Sequence, residues 1–214
     1  MTYELDWGRL TGDKACLRWN RKNLQVLGEV VDAHVSSHRT VVQAGGNLGV
    51  FPKWLAARFQ RVVTFEPDFD NMGCLFVNTL TEPNIIKLQA ALGYERKSVG
   101  MAKVNNWGRT HAGVTHVSGE GLIPTIRLDD LGLTDVDFIQ LDTEGYELSA
   151  IRGGQKTIAG CRPVIMMEIN KNAVLNGWNL ADVECLLGAL NYTLVSKIGP
   201  DKVFLPRERC ECPT

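Results

Sequence analysis

The chain has 214 residues, of which 44% are hydrophobic, and this length suffices for one sizeable core but not for a second full domain. Its 23 Lys and Arg residues nearly balance its 24 Asp and Glu residues, so the net charge of -1 gives no general attraction to nucleic acid. The N-terminus carries charges and tryptophans instead of an apolar signal core, and no run approaches the roughly 20 residues of a membrane span, so we expect a cytoplasmic protein.

The first predicted element is helical. Residues 15–38 place Leu and Val side chains at near-helical spacing, which indicates one or two amphipathic helices before the core. A strand at Thr40–Ala44, a glycine-rich turn, a helix from about Val50 to Arg58 and a strand at Arg61–Phe65 follow. Elements in this order form a nucleotide-binding half of an α/β fold.

The glycine-rich turn and the acid that follows the second strand indicate the ligand. Gly45, Asn47 and Gly49 read as GxGxG with one Asn replacement, because Asn tolerates a left-handed backbone, and Gly46 is an additional glycine. A dinucleotide fold expects GxGxxG instead. Glu66 follows Gly45 by 21 residues, near the spacing at which a carboxylate binds ribose hydroxyls. The pattern predicts an adenosine compound, and the turn suits the uncharged thioether and amino-acid tail of S-adenosylmethionine better than a pyrophosphate.

The rest of the chain alternates between strands and helices. Predicted helices are Phe69–Thr79, Tyr146–Ile158 and Leu180–Leu190, and predicted strands are Ile85–Gln89, Val136–Leu141 and Val164–Ile169, with a closing hairpin around Gly199-Pro200-Asp201. Residues 93–122 lose periodicity and read as a long loop, which in a compact domain is usually functional or mobile. These elements predict an α/β fold with a doubly wound, seven-stranded, mostly parallel sheet that ends in an antiparallel hairpin.

Five ordered blocks between position 41 and about 170 resemble one family. The blocks are VVQAGGNLGVF, VVTFEPDFDNMGCLFVN, TIRLDDL, VDFIQLDTEGYELSAIRGG and RPVIMMEIN, and they are similar to the FkbM-type methyltransferases, a branch of the class I S-adenosylmethionine-dependent enzymes. The resemblance implies a Rossmann-like sheet in the order 3-2-1-4-5-7-6, S-adenosylmethionine as methyl donor, and usually transfer to a hydroxyl, often of a sugar. We therefore divide the chain into an N-terminal helical cap segment, 1–39, and a methyltransferase domain, 40–214.

The residues of the predicted donor site lie in the glycine-rich turn and at the end of the second strand. Glu66 is assigned to the ribose hydroxyls, while Gln43 stands where the family commonly has an acid that interacts with the donor's ammonium group. Asp142 is the natural substitute for that acid. Asp68 has an alternative interpretation as the cap of the next helix. The predicted cofactor-binding residues are Gln43, Gly45, Gly46, Asn47, Gly49, Glu66, Pro67, Asp68, Asn71, Ala90 and Asp142.

Acidic residues follow the fourth and fifth strands of the predicted sheet. Asp142 and Glu144 come after one strand, and Glu168 and Asn170 end the next, so their side chains should meet beyond the carboxyl ends of neighbouring strands. A carboxylate there can act as general base for an acceptor hydroxyl. Three carboxylates can instead hold Mg²⁺, although we assign no metal site. For Glu144 the alternative is an acid at the start of the following helix.

Two histidines lie in the irregular loop. His111 and His116 stand near Trp107 and Arg109, and either imidazole can serve as a base near neutral pH. The tryptophan could stack on a sugar ring or a base of the acceptor. We expect the segment Asn105–Val117 to be mobile without acceptor and to border the pocket entrance. The structural alternative is that both histidines are merely exposed.

Three other functions stay open. A nicotinamide oxidoreductase shares the opening half-fold but expects a different glycine spacing. A binding protein that keeps the donor pocket without turnover is compatible with Gln43. Nucleic-acid or nucleotide methylation is the third, although the chain has neither an Asn/Asp-Pro-Pro-aromatic motif nor a Pro-Cys nucleophile. We expect a small-molecule or glycoconjugate acceptor and leave the oligomeric state open.

The six cysteines, at positions 16, 74, 161, 185, 210 and 212, stand mostly in apolar surroundings. This pattern predicts buried free thiols. Cys210 and Cys212 have the spacing of half a metal clip, but no matching Cys or His pair stands nearby, so we expect no cysteine metal site.

Overall fold

The computed structural model describes residues 14–103 and 115–210. Its helices are α1 (Lys14–His34), α2 (Val50–Ala56), α3 (Phe69–Asn78), α4 (Glu147–Gly153), α5 (Gln155–Cys161), α6 (Lys171–Leu175) and α7 (Leu180–Ala189). Its strands are β1 (Thr40–Ala44), β2 (Arg61–Phe65), β3 (Ile85–Leu88), β4 (Ala91–Leu92), β5 (Ser98–Val99), β6 (Met101–Lys103), β7 (Thr115–Val117), β8 (Ile123–Ile126), β9 (Val136–Leu141), β10 (Val164–Glu168), β11 (Tyr192–Ile198) and β12 (Asp201–Pro206). None of these helices is long and apolar enough to cross a membrane.

The main sheet has seven strands in the order β3-β2-β1-β9-β10-β12-β11. If these seven strands are numbered one to seven in chain order, their order in the sheet is 3-2-1-4-5-7-6. The predicted strand order is therefore confirmed. β1 pairs in parallel with both β2 and β9, and β12 runs antiparallel to its neighbours β10 and β11. The doubly wound, mostly parallel sheet with a C-terminal antiparallel hairpin is therefore confirmed. The carboxyl ends of the parallel strands meet at one edge, where ligands of open α/β sheets bind.

The strands β1, β2, β9 and β10 of the main sheet are buried on both faces, as their nearly continuous apolar sequences require. Adjacent residues of a strand point to opposite faces, so Val41 and Val42 belong to two different hydrophobic clusters. The cluster around Val41 includes Leu27 and Val31 of α1 and Leu55 of α2. The other cluster includes residues of α4, α5 and α7. In the described part of the predicted N-terminal helical segment, α1 thus packs into the core, and the role of the segment as a cap over the cofactor pocket stays a prediction.

The predicted helix Tyr146–Ile158 is wrong as a single element. The structure has two short helices, α4 and α5, that meet at Gly153 and Gly154. A Cβ on Gly153 would lie 2.0 Å from the carbonyl oxygen of Gly93, and a Cβ on Gly154 would lie 2.9 Å from a Leu128 methyl carbon. Other parts of the chain therefore pack directly against the junction between the helices. Helical periodicity does not reveal such a tertiary contact.

The region predicted as an irregular loop contains several short strands. β5, β6 and β7 lie within this region, and β6 pairs antiparallel with β7, where Ala102 lies opposite His116. β5 joins β8 and β4, which border the region on either side, in a three-stranded sheet. β5, β6 and β7 have only two or three residues, too few to produce a recognisable period, which explains why the sequence did not predict them. Residues 104–114, between β6 and β7, lie outside the described residues.

Four thiols in the described ranges are free: Cys74, Cys161, Cys185 and Cys210. The prediction that the thiols are buried is wrong for Cys185 and Cys210, which are exposed, whereas the other two are half-buried. On α7, Val183 and Leu187 are fully buried, and Cys185 lies between them on the opposite side of the helix. Apolar neighbours in the sequence therefore do not imply burial when the residue lies on the outer side of a helix.

Candidate active site

The turn after β1 has the backbone that its glycines and asparagine predict. Gly45 and Gly49 have φ values of 90° and 89°, and Asn47 is left-handed with a φ of 47°. The amides of Gly45 and Gly46 both donate to the carbonyl of Phe65, at 3.0 and 2.9 Å. The turn is therefore attached to the end of β2, and Asn47 adopts the conformation that allows it to replace a glycine.

Two of these glycines permit close approach of other elements. A Cβ on Gly45 would lie 1.8 Å from the carbonyl oxygen of Asp142, and a Cβ on Gly46 would lie 2.4 Å from Leu75 of α3. The amide of Asp142 also donates to the Ala44 carbonyl at 2.9 Å. We call the turn at residues 45–49 the donor turn, after the ligand predicted for it. The donor turn and Asp142 therefore lie at the same edge of the sheet.

Glu66 is buried at the end of β2, with 4% of its surface exposed. Its Oε2 accepts from the backbone amide of Asn47 at 2.6 Å, and its Oε1 accepts from that of Asp68 at 2.8 Å. Burial raises the pKa of Glu66 to about 7, although these two backbone hydrogen bonds and one from the Asn71 side chain lower it. Each carboxylate oxygen has a further lone pair, so Glu66 can also accept from ligand hydroxyls.

The residues after Glu66 begin α3. Asp68 accepts from the amides of Asp70 and Asn71, both at 3.0 Å, so its alternative interpretation as a helix cap is confirmed. The same cap brings the Asn71 side chain to Glu66. Asp68 and Asn71 thus support the carboxylate that is assigned to the ribose, and a contact between either residue and the donor stays a prediction.

Pro67 and Ala90 flank Glu66 on two sides. Pro67 follows it in the chain and is half-buried, whereas Ala90 is buried just beyond β3. The Leu88 carbonyl at the end of β3 accepts from the amides of both Glu66 and Ala90, at 3.1 and 3.0 Å. The predicted donor residues from the ends of three neighbouring strands therefore lie at one edge of the sheet.

The polar atoms around the turn fit the adenosine end of the donor. Asn47 Oδ1 is buried and has no hydrogen-bond partner among the described residues, so together with Glu66 it offers an acceptor to ligand hydroxyl or amine groups. Gln43 differs, because its Nε2 donates to the Gly45 carbonyl at 2.8 Å and its Oε1 accepts from the Thr64 hydroxyl. Both ends of the Gln43 amide are used within the protein.

Three carboxylates converge beyond the ends of β9 and β10. Asp142, Glu144 and Glu168 each place one oxygen so that the three atoms lie within 4.8 Å of one another. Asn170 caps α6 and donates from Nδ2 to Glu144 at 3.1 Å and to Glu168 at 2.7 Å. Asn172 donates to Glu144 at 2.6 Å. The structure thus brings together the acidic residues that the sequence placed at these two strand ends; we call Asp142, Glu144 and Glu168 the acidic cluster.

Burial and the charges of neighbouring carboxylates raise the pKa values of Asp142 and Glu168. Burial is the largest cause for Asp142, whose pKa lies well above its usual range, and the charges of Glu168 and Glu144 raise it further. Burial and the charge of Glu144 raise the pKa of Glu168 to about 7, against the hydrogen bond from Asn170. With a pKa of about 7, Glu168 can take up a proton near neutral pH, as a general base must.

Asp201 is a further carboxylate that the sequence analysis did not assign to the site. It begins β12 and pairs in register with Glu168 of β10, and burial raises its pKa to about 6. The ammonium group of the adjacent Lys202 donates to the carbonyls of Gly199 and Pro200, at 2.9 and 2.8 Å. The hairpin turn was visible in the sequence, but only the pairing of β12 with β10 brings it to the acidic cluster.

Glu147 is the acid at the start of α4, a role that the sequence analysis considered for Glu144. Its Oε1 accepts from the amides of Thr143 and Gly145, at 2.8 and 3.2 Å. Glu144 instead has a φ of 54° in the turn before the helix, so its helix-start interpretation is wrong. Glu147 is 1% exposed, its Oε2 has no hydrogen-bond partner among the described residues, and burial raises its pKa.

Of the two loop histidines, the structure describes only His116. His116 is half-buried on β7, opposite Ala102. In the part of the chain that the structure describes, no hydrogen bond or ion pair joins His116 to the carboxylates. His111 lies outside the described residues, together with Trp107 and Arg109. The proposed roles of these residues and the position of their loop at the pocket entrance stay predictions.

The sequence and the fold are both similar to known methyltransferases. The model of the methyltransferase FkbM domain family matches residues 43–194. The structure is similar to that of Methyltransferase FkbM from Methylobacillus flagellatus KT, with 18% identity and a TM-score of 0.51, over 78% of this chain and 43% of that chain. The chain therefore spans less than half the length of that protein. A comparison with curated proteins found no match.

Two further structures show the same fold at lower identity. The ribosomal protein L11 methylase from Lactobacillus delbrueckii subsp. bulgaricus has 10% identity and a TM-score of 0.53, over 86% of this chain and 78% of that chain. A Streptococcus mutans protein that is described as a methyltransferase and was solved in complex with SAH has 8% identity and a TM-score of 0.50, over 85% and 94%. These similarities show the Rossmann-like fold of class I methyltransferases. Because the family model covers most of the sequence, including the donor turn and the acidic cluster, the chain belongs to the FkbM methyltransferase domain family.

Proposed function

We propose that the chain is an S-adenosylmethionine-dependent O-methyltransferase that acts on a hydroxyl of a sugar or glycoconjugate. When bound, the donor supplies an activated methyl group on its sulfonium. The observation that carries the proposal is the position of Asp142, which belongs to the acidic cluster and also lies against the donor turn at Gly45. A donor in the turn and an acceptor at the cluster would therefore meet at this residue.

The donor turn supplies the groups that would bind and orient the donor. Glu66 would accept from the ribose hydroxyls, since two backbone amides hold its carboxylate in place. Hydrogen bonds to a charged group of this kind contribute about 1.5 to 3 kcal/mol each. The alternative role for Asp142, besides that of base, is to pair with the donor's ammonium group, because both polar ends of Gln43 are used within the protein.

The acidic cluster supplies the candidate general base. An alcohol is a poor nucleophile while it keeps its proton, so a carboxylate within hydrogen-bond reach would accelerate transfer. Asp142 and Glu168 both have raised pKa values, and that of Glu168 lies at about 7. One of them would accept the acceptor's proton at neutral pH, while the amides of Asn170 and Asn172 would keep the neighbouring carboxylate oriented.

A sugar acceptor suits the polar character of the site. Carboxylates and amides can bind several hydroxyl groups at once, and the resemblance to the FkbM-type enzymes supports the same acceptor class. A nucleic acid is less suited, because the net charge of -1 gives no general attraction to phosphates. A nucleotide hydroxyl remains the alternative acceptor, and the cytoplasmic location stays a prediction of the sequence.

A divalent cation at the acidic cluster is a second candidate feature. The three cluster oxygens lie within 4.8 Å of one another, and carboxylate oxygens are the ligands that Mg²⁺ prefers. Asp142, Glu144 and Glu168 would hold the ion, which would orient and acidify the acceptor hydroxyl. Activity that is lost with a chelator and restored with Mg²⁺ would support the cation, whereas unchanged activity would exclude a requirement for it.

Binding and turnover experiments test the proposed function in two steps. Calorimetry with S-adenosylmethionine, S-adenosylhomocysteine and NAD should show binding of the first two only, and binding of NAD alone would favour the oxidoreductase. Transfer of labelled methyl from the donor to a panel of sugars, glycoconjugates and nucleotides then identifies the acceptor class. Methylated sugar hydroxyls are the expected product. Donor binding without transfer to any acceptor would favour the non-catalytic binding protein.

A further inference from the structure

Gln43 occupies a fully buried position one residue before the end of β1. It pairs in register with Thr64 of β2, and its side chain joins three parts of the chain. The carbonyl oxygen of the amide accepts from the Thr64 hydroxyl, and the amide nitrogen donates to the Gly45 carbonyl at 2.8 Å. One side chain thus connects the neighbouring strands β1 and β2 with Gly45, the first residue of the donor turn.

We propose that Gln43 is a positioning residue that sets the conformation of the donor turn and does not itself bind the donor. The inference rests on the proposed function, because it concerns the same donor site. It differs from the role that the family pattern implies for an acid at this position. There the side chain would contact the donor's ammonium group directly.

The hydrogen bonds of Gln43 continue to the residue assigned to the ribose. A Cβ on Gly46 would lie 2.8 Å from the Thr64 hydroxyl oxygen, so this hydroxyl lies directly beside the turn. The next residue, Asn47, donates its amide to Glu66 at 2.6 Å. Gln43 and Thr64 therefore support the short segment whose far end holds the Glu66 carboxylate.

Only a side chain with both a donor and an acceptor fits these partners. An ionised carboxylate can accept from Thr64 but has no hydrogen for the Gly45 carbonyl, so two acceptor oxygens would face each other near 2.8 Å. A glutamate at position 43 should therefore disturb the turn. If the side chain contacted the ammonium group instead, the same glutamate would restore an attractive charge. The two roles predict opposite changes in donor affinity.

The decisive experiment measures S-adenosylhomocysteine affinity by calorimetry at pH 8 for wild type, Gln43→Glu and Gln43→Met. We expect both variants to bind roughly tenfold or more weakly, since each leaves the Gly45 carbonyl without its buried partner. Tighter binding by Gln43→Glu would overturn the proposal in favour of direct ammonium contact. Unchanged binding in both variants would overturn it as well. Gln43→Met keeps the test valid if Gln43→Glu fails to fold.

A pH series separates positioning from a general loss of packing. A protonated carboxyl can donate to the Gly45 carbonyl, and burial favours protonation. The affinity ratio of Gln43→Glu to wild type should therefore approach one as the pH falls from 8 to 6, whereas the ratio for Gln43→Met should stay constant. Equal pH dependence in both variants would contradict the proposal. Thr64→Ser should retain wild-type affinity, and Thr64→Val should lose part of it.

The proposed function and the role of Gln43 can fail separately. If wild type binds no S-adenosylhomocysteine, the assignment of the donor fails. Whether Gln43 sets the conformation of the donor turn can then be tested without ligand, by hydrogen exchange at the amides of Gly46 and Asn47. Faster exchange in Gln43→Met than in wild type supports the positioning role, and unchanged exchange overturns it.

Discussion

Glu66 at the donor end of the site and Glu168 at the acceptor end are both carboxylates whose pKa is raised to about 7. Burial is the largest cause for each, but their surroundings differ. Glu66 accepts from two backbone amides, and both of these lower its pKa. Glu168 accepts from the side chain of Asn170, while the charge of Glu144 raises its pKa.

This difference suggests that the carboxylates at the donor end and at the acceptor end of the site have separate roles. Backbone amides stabilise the ionised form of Glu66, which is the form that accepts from ribose hydroxyls. Neighbouring acids destabilise the ionised form of Glu168 and of Asp142, which favours uptake of a proton. Substitutions at the donor end should therefore change affinity, and substitutions in the acidic cluster should change turnover and stability.

The largest effect is expected for Asp142→Asn in a methyl-transfer assay. The amide keeps the size and hydrogen bonding of the side chain but cannot act as base, so turnover should fall by a factor on the order of 10² to 10⁴ with little change in donor affinity. A parallel loss of donor affinity would instead indicate that Asp142 pairs with the ammonium group. Asp130→Asn is the matched control, because Asp130 pairs with Arg96 at the surface. Wild-type turnover and affinity in Asp142→Asn would remove Asp142 from the site.

The second effect concerns the ribose contact. Glu66→Ala removes the acceptor for the ribose hydroxyls, so calorimetry should show S-adenosylhomocysteine affinity reduced by at least about tenfold. Glu95→Ala is the control, since Glu95 lies at the surface beside Lys97. A folded Glu66→Ala protein with an unchanged dissociation constant would contradict the ribose assignment.

The pH dependence of donor affinity follows from the same carboxylate. With a pKa of about 7, Glu66 becomes protonated as the pH falls from 8 to 6, and the protonated form is the poorer acceptor. Wild-type affinity for S-adenosylhomocysteine should therefore weaken by up to about tenfold over this range. Calorimetry on Glu66→Gln should show a flatter profile, because an amide does not titrate there. The same slope in both proteins would assign the dependence to another group.

The smallest effect is a gain in stability for Glu168→Gln. The folded-state pKa of Glu168 is raised from 4.5, so its contribution to stability is present below about pH 4.5 and is lost as the pH rises through about 7. At pH 8 the neutral amide avoids the ionised carboxylate and can still accept from Asn170. After allowance for solvent screening, the gain should be about 1 kcal/mol, or a few degrees in Tm.

Thermal unfolding at pH 8 and pH 5 checks this gain in stability. The difference between Glu168→Gln and wild type should shrink at pH 5, where wild-type Glu168 is largely protonated. Glu95→Gln should leave Tm unchanged at both pH values. A lower Tm for Glu168→Gln at pH 8 would show that the carboxylate stabilises the fold, and the proposed difference between the two ends of the site would then fail.

The donor end of the site was more predictable than the acceptor end, because the residues that identify it lie close together in the sequence. Asn47 and Glu66 lie within one strand-turn-helix-strand unit, and the left-handed backbone at Asn47 follows from its residue type. At the acceptor end the sequence indicated Asp142, Glu144 and Glu168 from their positions after strands. Glu147 and Asp201 were missed, because the first depends on where α4 begins and the second on the pairing of β12 with β10.

By itself, the sequence determined the alternation of strands and helices, the donor turn and the family, since these depend on periodicity, backbone preference and ordered motifs. Tertiary structure decided which polar atoms remain available to a ligand. Gln43 reads as a cofactor residue in the sequence, yet its amide is used by Thr64 and Gly45. Hydrogen bonds in this site connect residues that are distant in the chain, and distant residues also bury one another. A local sequence pattern therefore does not predict which partner each polar group has.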